Sequence, residues 1–248
     1  MRESDLVKTG ISGLDSILSD GIPRGNVILV EGPVGTGKTT LGVEFVYRGA
    51  SQFGEPGIIV LFETSPEKLV RDAARLGWDL PALERQRQLK IIFTTRQVFR
   101  QELQQADSLL LEQAAEIGAR RIFVDGVAGI IGTGTEPRGE AFHVLVEGLQ
   151  RENLTAVLAV EASALDGGHQ IALPEESIAD TVMRLRMEDH DRATVRSIEI
   201  VKSRGHDFQM GRHSFRIVDG HGIEVYQRVQ APRGRDHPRA VHLGARVS

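Results

Sequence analysis

Short apolar runs alternate with stretches of helical periodicity over the first two thirds of the chain. The runs predict five strands, at residues 27–30, 58–62, 89–93, 120–125 and 156–160. Each strand is joined to the next helical stretch by a short link, which is typical of parallel βαβ units. We therefore expect a mostly parallel, twisted sheet with helices on both of its faces.

The helical stretches are predicted at 38–53, from 66 onward, at 98–117, at 136–152, and as a short helix within 9–25. Ser12 is the expected N-cap of the short helix. Thr64 or Ser65 is the expected cap of the helix that begins at Pro66. The stretch from Val98 to Ile117 is predicted to be one long helix because its apolar stripe continues throughout.

Beyond Glu161 the alternation stops. Residues 162–176 are predicted to be a loop, and four strand-like stretches follow without helices between them, at 180–187, 194–202, 213–218 and 223–227. Antiparallel hairpins added to the edge of the parallel sheet are the simplest account of these strands. The pattern predicts one three-layer α/β domain over residues 1–229 and a disordered tail over residues 230–248.

Composition narrows the class of protein. The chain has 248 residues, of which 40% are hydrophobic and 26% charged, so it can bury a substantial core. No apolar run approaches the roughly 18 residues of a membrane helix, and the first residues are too polar for a signal peptide. There are no cysteines, which excludes disulfides and thiolate metal sites and favours a cytoplasmic protein.

The formal net charge of −4 gives no general attraction to nucleic acid or to an anionic membrane. The charge is uneven along the chain. The tail carries four arginines against one aspartate, which makes +3 and leaves −7 on residues 1–229.

A glycine-rich segment follows the first buried strand and opens the first long helix. Residues 32–39 fit the pattern G-x-x-x-x-G-K-[ST] in full, in the strand, loop and helix context that a phosphate-binding loop requires. The loop amides and the helix N-terminus would surround a phosphate, Lys38 would reach the outer phosphates and the Thr39 hydroxyl would hold Mg²⁺. The predicted nucleotide-binding residues are Gly32, Pro33, Val34, Gly35, Thr36, Gly37, Lys38, Thr39 and Thr40.

Three carboxylates stand where predicted strands end, which is where ligands bind in an open parallel sheet. Asp125 is the candidate that holds Mg²⁺ directly or through water, and a helix-capping role is its alternative. Glu63 is the candidate that polarises the attacking water, and its alternative is a solvated side chain. Glu161 could sense the phosphate or pair with an arginine.

Two cations, Lys202 and Arg204, end a strand of alternating pattern and should point to the same side. They could form a solvated edge, or they could reach a terminal phosphate on a neighbouring subunit as an arginine finger does. The eight histidines show no metal-ligand spacing, so we predict no histidine metal site.

These residues together resemble the KaiC-like branch of the RecA-type P-loop ATPases. The resemblance runs from about Thr9 to Gln227. Its motifs are TGISGLD at 9–15, GIPRG at 21–25, the phosphate-binding loop, EPGIIVLFE at 55–63, LGWDL at 76–80, RRIFVD at 120–125 and KSRG at 202–205.

The resemblance implies a RecA-like fold with ATP and Mg²⁺ as ligands. Lys38 and Thr39 match the Walker A positions, Asp125 the Walker B carboxylate and Glu63 the catalytic glutamate. Lys202 and Arg204 match residues that act across a subunit boundary in a hexameric ring. We expect a homo-oligomeric regulatory ATPase that has a further, unidentified protein partner.

Two departures from the family pattern bear on activity. KaiC-type domains usually carry two adjacent glutamates after the second strand, and here the second position is Thr64. The circadian clock protein of this family has two such domains in tandem, and this chain has one. Hydrolysis needs only one carboxylate to orient water, so the departure at Thr64 leaves it possible.

Besides an assembly module whose nucleotide is only structural, which the Glu63 carboxylate disfavours, two other functions stay open. One is a serine/threonine autokinase, because Ser177 matches the second phosphate acceptor of the clock protein, while the first is Glu176. The other is a recombinase-like ATPase that binds single-stranded DNA. The corresponding loops, 126–136 and 162–176, hold no lysine or arginine, which disfavours nucleic acid.

Overall fold

The computed structural model describes residues 5–105, 108–128, 138–161, 174–190 and 193–228. Its elements in chain order are β1 (Leu6–Val7), α1 (Leu14–Ile17), β2 (Ile22–Pro23), β3 (Val27–Gly32), α2 (Lys38–Phe53), β4 (Gly57–Leu61), α3 (Pro66–Arg75), α4 (Leu80–Arg85), β5 (Leu89–Phe93), α5 (Arg96–Gln104), α6 (Leu109–Ile117), β6 (Arg121–Asp125), α7 (Arg138–Arg151), β7 (Thr155–Glu161), α8 (Pro174–Ile178), β8 (Thr181–His190), β9 (Ala193–Ser203), β10 (Arg212–Val218) and β11 (Gly222–Tyr226).

Nine of the described strands form one sheet in the order β11-β10-β9-β8-β3-β7-β6-β4-β5. The strands from β8 to β5 are parallel to their neighbours, and β9, β10 and β11 extend the sheet in antiparallel pairing. Strands and helices alternate along the chain up to β7, and the sheet is mostly parallel, so the predicted α/β fold class is confirmed.

The strands are buried because the sheet packs against helices on both faces. Along β3, Ile28 and Val30 join a core cluster with α2, α3 and α4, while Val27 and Leu29 join a second cluster with α5, α6 and α7. All six residues of β3 are buried, as a central parallel strand requires. Packing in these two cores helps to fix the register of β3 with the neighbouring strands β7 and β8.

The predicted long helix at 98–117 is wrong. The chain forms two helices there, α5 and α6, because polar side chains cap a second helix start. The Ser108 hydroxyl accepts a hydrogen bond from the Leu111 amide at 3.2 Å, and the Glu102 carboxylate accepts one from the Leu110 amide at 3.1 Å. The apolar stripe continues across the break, so periodicity did not reveal it.

Three smaller predictions also need correction. Gly13 in the left-handed region, and not Ser12, precedes α1, because Asp15 binds the Thr9 and Gly10 amides and turns the chain before the helix. Residues 174–176, which were predicted to lie in a loop, begin α8. The first C-terminal strand, β8, pairs parallel with β3 and antiparallel with β9, so the predicted antiparallel strands are present but are added to one more parallel strand than expected.

Other predictions hold or lie outside the described residues. Ser65 caps α3 by accepting a hydrogen bond from the Lys68 amide, as predicted. The tail at 230–248 and most of both loops considered for DNA binding, 129–137 and 162–173, lie outside the described part of the chain.

The sequence patterns did not predict the buried arginine of β6. Arg121, at the start of β6, is 1% exposed and lies over the Phe45 ring. Its Nε donates to Glu55 at 2.8 Å, and Glu55 also accepts from Arg24 at 2.6 Å. A buried guanidinium needs such a partner, so this pair fixes the chain between α2 and β4 against the start of β6.

Candidate functional site

A cavity of about 460 Å³ lies at the carboxyl ends of the parallel strands. Its lining comes from the glycine-rich loop after β3, the start of α2, and residues at or just after the ends of β4, β6 and β7. Of the side chains singled out from the sequence, those that line it are Val34, Lys38, Thr39, Thr40, Glu63, Thr64, Asp125 and Glu161. The parallel topology thus brings together residues that are up to 127 positions apart in the chain.

The loop is held tightly against the next strand. A side chain at Gly32 would place its Cβ 2.5 Å from the Leu185 carbonyl oxygen of β8, so only glycine fits there. Thr36 is buried and its hydroxyl donates to the Pro33 carbonyl at 2.9 Å. Gly37, with a φ of 103°, turns the chain into α2.

Lys38 is the first residue of α2 and folds back over the loop. Its ammonium donates to the carbonyls of Gly32 and Pro33, both at 2.8 Å. Burial lowers the pKa of Lys38, while the charges of Glu161 and Asp125 act in the opposite direction. The ammonium is therefore held at the centre of the loop, where phosphate oxygens would meet it.

Thr39 and Asp125 are in direct contact. The threonine hydroxyl donates to the Asp125 carboxylate at 2.9 Å, from the start of α2 to the end of β6. Burial raises the pKa of Asp125, and the Thr39 hydrogen bond and the Lys38 charge oppose that shift. A hydroxyl beside a carboxylate supplies the oxygen ligands that Mg²⁺ prefers.

Thr39 and Asp125 could hold Mg²⁺ only if water and a bound phosphate supply the remaining oxygen ligands. Among the described residues no group of three or more His, Cys, Asp or Glu side chains could hold a metal ion by itself. Mg²⁺ usually takes one or two protein oxygens and completes its shell with water and phosphate oxygens. The donors present at Thr39 and Asp125 match that mode of binding.

Glu63 has a partner that the sequence reasoning missed. Its carboxylate accepts a hydrogen bond at 2.6 Å from Arg96, the first residue of α5, which lines the same cavity. Arg96 follows the end of β5, so the strand-end rule that selected the carboxylates could have found it had basic residues been included. Ile217 of β10, which also lines the cavity, carried no sequence signal.

Lys202 and Arg204 lie away from the cavity of their own chain. The Lys202 ammonium donates to the carbonyls of Glu176, Ser177 and Ala179 at 2.8, 3.1 and 2.6 Å. The Arg204 guanidinium donates to the Ile178 carbonyl at 3.2 Å and to that of Ser177. Both cations therefore cap the C-terminal end of α8, where the carbonyls carry partial negative charge.

Ser177 is exposed and already forms a hydrogen bond. Its hydroxyl donates to the Pro174 carbonyl at 2.7 Å within α8. This contact is of the local kind that serines make at helix ends. Glu161 stands at the end of β7 with its side chain at the cavity wall.

The loop between a buried parallel strand and a helix, with its lysine, hydroxyl and opposed aspartate, places the fold among the P-loop NTPases with a RecA-like core. A family model described as "ATPase: KaiC" matches residues 7–230. The chain belongs to this KaiC family of ATPases.

Individual relatives agree with the family. A UPF0273 protein of Aeropyrum pernix is 32% identical over an alignment of 260 positions, which covers 98% of this chain and 98% of that protein. The circadian clock oscillator protein KaiC of Synechococcus elongatus is 32% identical over 229 residues, or 89% of this chain and 44% of the clock protein. This chain therefore spans less than half of the clock protein.

A solved structure shares the fold. The KaiC-like protein from the hyperthermophilic archaeon Pyrococcus horikoshii OT3 superimposes with a TM-score of 0.75 at 29% identity, and the match covers 90% of this chain and 99% of that one.

The helices in the described part of the chain include none with the length and apolar character that spanning a membrane requires.

Removing the charge of Asp125 should stabilise the ligand-free protein. Burial raises the pKa of Asp125 above the ordinary 3.8. Keeping this carboxylate charged at neutral pH therefore lowers the free energy of unfolding. We expect Asp125→Asn to raise the thermal unfolding midpoint at about pH 7.5. This gain over wild type should shrink when the pH is lowered to about 4, close to the ordinary carboxyl pKa of 3.8, because the wild-type carboxyl then takes up its proton in the folded state.

The control for this experiment is Asp72→Asn, which changes an exposed aspartate on α3. It should leave the midpoint nearly unchanged at both pH values. A lower midpoint for Asp125→Asn at neutral pH, or a gain that does not depend on pH, would contradict the account of this carboxylate.

Proposed function

We propose that this protein binds Mg-ATP in the cavity and hydrolyses the terminal phosphate. The observation that supports the proposal most is that Lys38, Thr39, Asp125 and Glu63 line one cavity. Lys38 supplies a cation for the phosphates, and Glu63 supplies a carboxylate that orients water. Thr39 and Asp125 supply two oxygen ligands for a metal, and these are the parts that phosphoryl transfer needs. The membership in a family of ATPases agrees with this reading.

The residues would divide the work as follows. The loop amides and Lys38 bind and orient the phosphates, and Thr39 and Asp125 would hold Mg²⁺. When bound, Mg²⁺ neutralises charge on the phosphate oxygens. Glu63 accepts a hydrogen bond from the attacking water and aligns it with the terminal phosphorus.

We further propose that the protein works as a ring, with Lys202 and Arg204 acting on the cavity of a neighbouring subunit. Both lie outside the cavity of their own chain and are gathered at one end of α8. Two exposed apolar side chains lie at the phosphate-binding loop: Val34, which is part of the loop and 72% exposed, and Met187, which lies beside Gly35 and is 44% exposed. Exposed apolar groups at the rim of a site favour a covering subunit.

The regulatory role follows by analogy with the relatives whose names describe a circadian clock oscillator. An autokinase that modifies Ser177 is the alternative within the same family. The hydrogen bond from Ser177 to the Pro174 carbonyl favours a structural role for that serine. Labelling of Ser177 by γ-labelled ATP would reverse this preference.

Replacing Glu63 with Gln tests hydrolysis apart from binding. The amide keeps the shape of the side chain but cannot take a proton, so we expect kcat for Mg-ATP to fall about 100-fold or more. Nucleotide affinity should stay within about threefold of wild type, since the phosphate contacts are unchanged. Glu67→Gln, at an exposed position on α3, is the control and should behave as wild type. Wild-type turnover by Glu63→Gln would remove this carboxylate from the mechanism.

Replacing Arg204 with Ala tests the ring. Light scattering after size exclusion should show a larger assembly of the wild type with Mg-ATP than without nucleotide. If Arg204 reaches the phosphate of a neighbour, the variant loses that nucleotide-dependent growth, because the ligand no longer bridges two subunits. Arg71→Ala, which removes an exposed arginine of α3, should assemble as the wild type does. Unchanged assembly of Arg204→Ala would exclude this role.

A further inference from the structure

Arg96 stands where the ends of three adjacent strands meet. The sheet order places β6, β4 and β5 side by side, so the residues after them are neighbours at one edge. The Thr95 hydroxyl caps α5 by accepting from the Val98 amide at 3.2 Å. This cap makes Arg96 the first residue of the helix, next to the cavity.

Three contacts fix its guanidinium. Nη2 donates to the Glu63 carboxylate at 2.6 Å, and Nε donates to the Gly126 carbonyl at 3.1 Å. The group also lies over the Phe62 ring, 5.3 Å from its centre. An arginine is suited to this position because its planar fork can bind a carbonyl and a carboxylate at once while its face stacks on a ring.

Gly126 makes room for this arrangement. It has a φ of 88°, and a Cβ there would lie 3.2 Å from Nη2 of Arg96. Gly126 directly follows Asp125, so the Arg96 contact joins the Glu63 carboxylate to the backbone beside the candidate metal carboxylate. The two acids are thereby held at a set separation.

Glu63 needs such support. Its side chain is 77% exposed, and within the described part of the chain it forms an ion pair with Arg96. A solvated glutamate has several rotamers, and ordering it costs free energy. A carboxylate that orients water must stay within hydrogen-bond reach of it. We therefore expect the contact with Arg96 to restrict the rotamers of Glu63.

We propose that Arg96 is a positioning residue for hydrolysis, which holds the Glu63 carboxylate in the place where it aligns the attacking water. This inference rests on the proposed function of the cavity. It differs from a direct role of Arg96 on the phosphate, in which the guanidinium would offset developing charge by itself. The two roles give different results when Glu63 is already disabled.

The test is a double-mutant cycle in Mg-ATP hydrolysis with Arg96→Ala, Glu63→Gln and the double variant. We expect Arg96→Ala to lower kcat about 10- to 100-fold and to leave KM within about threefold, because nucleotide binds but water is poorly aligned. In the Glu63→Gln protein the same change should have almost no further effect. Arg96→Lys should recover part of the loss, since an ammonium can hold one of the two oxygens. Arg71→Ala serves as the control.

The outcomes separate the inference from the function on which it rests. Absence of turnover in the wild type overturns both. Turnover that depends on Glu63 but not on Arg96 overturns the inference alone. An equal loss from Arg96→Ala in both backgrounds shows a direct role on the phosphate and also overturns it, as does a rise in KM at constant kcat.

Discussion

The parallel pairing of β3, β7, β6 and β4 is the constraint on which the site depends. Parallel strands end at the same edge of a sheet, so the residues that follow them become neighbours regardless of their distance in sequence. The glycine-rich loop, Asp125 and Glu63 meet for this reason. The two apolar cores keep the strands in register, since a shift of one residue would move each side chain of β3 into the opposite core, which is packed around different side chains.

A second network ties the phosphate-binding loop to the segment that holds the outlying cations. Glu31, the buried residue just before Gly32, pairs with Arg184 of β8, and Arg184 also reaches Glu176 on α8 at 3.2 Å. Burial raises the pKa of Glu31, and Arg184 opposes that shift. The carbonyl of the same Glu176 accepts from Lys202. The start of the loop and the end of β9 are therefore joined through one arginine whose side chain is 13% exposed.

Apolar periodicity predicted the five alternating strands and the order of the helices, because burial on both faces leaves a clear mark in a sequence. It could not predict features set by single polar contacts. The break between α5 and α6 depends on Ser108 and Glu102, and the buried Arg121 depends on Glu55. At the site, the loop and Asp125 followed from motif and strand position. Arg96 did not, because strand position can predict its place beside the cavity but not its contact with Glu63.

The central claim is that a nucleotide is hydrolysed in the cavity around Lys38, and phosphate release from Mg-ATP by the wild type and by Lys38→Ala tests it most directly. The lysine ammonium already lies over the loop, where it donates to the carbonyls of Gly32 and Pro33. We predict steady phosphate release by the wild type and none above background by Lys38→Ala, with both proteins folded by circular dichroism. Release at the wild-type rate by the variant would contradict the account.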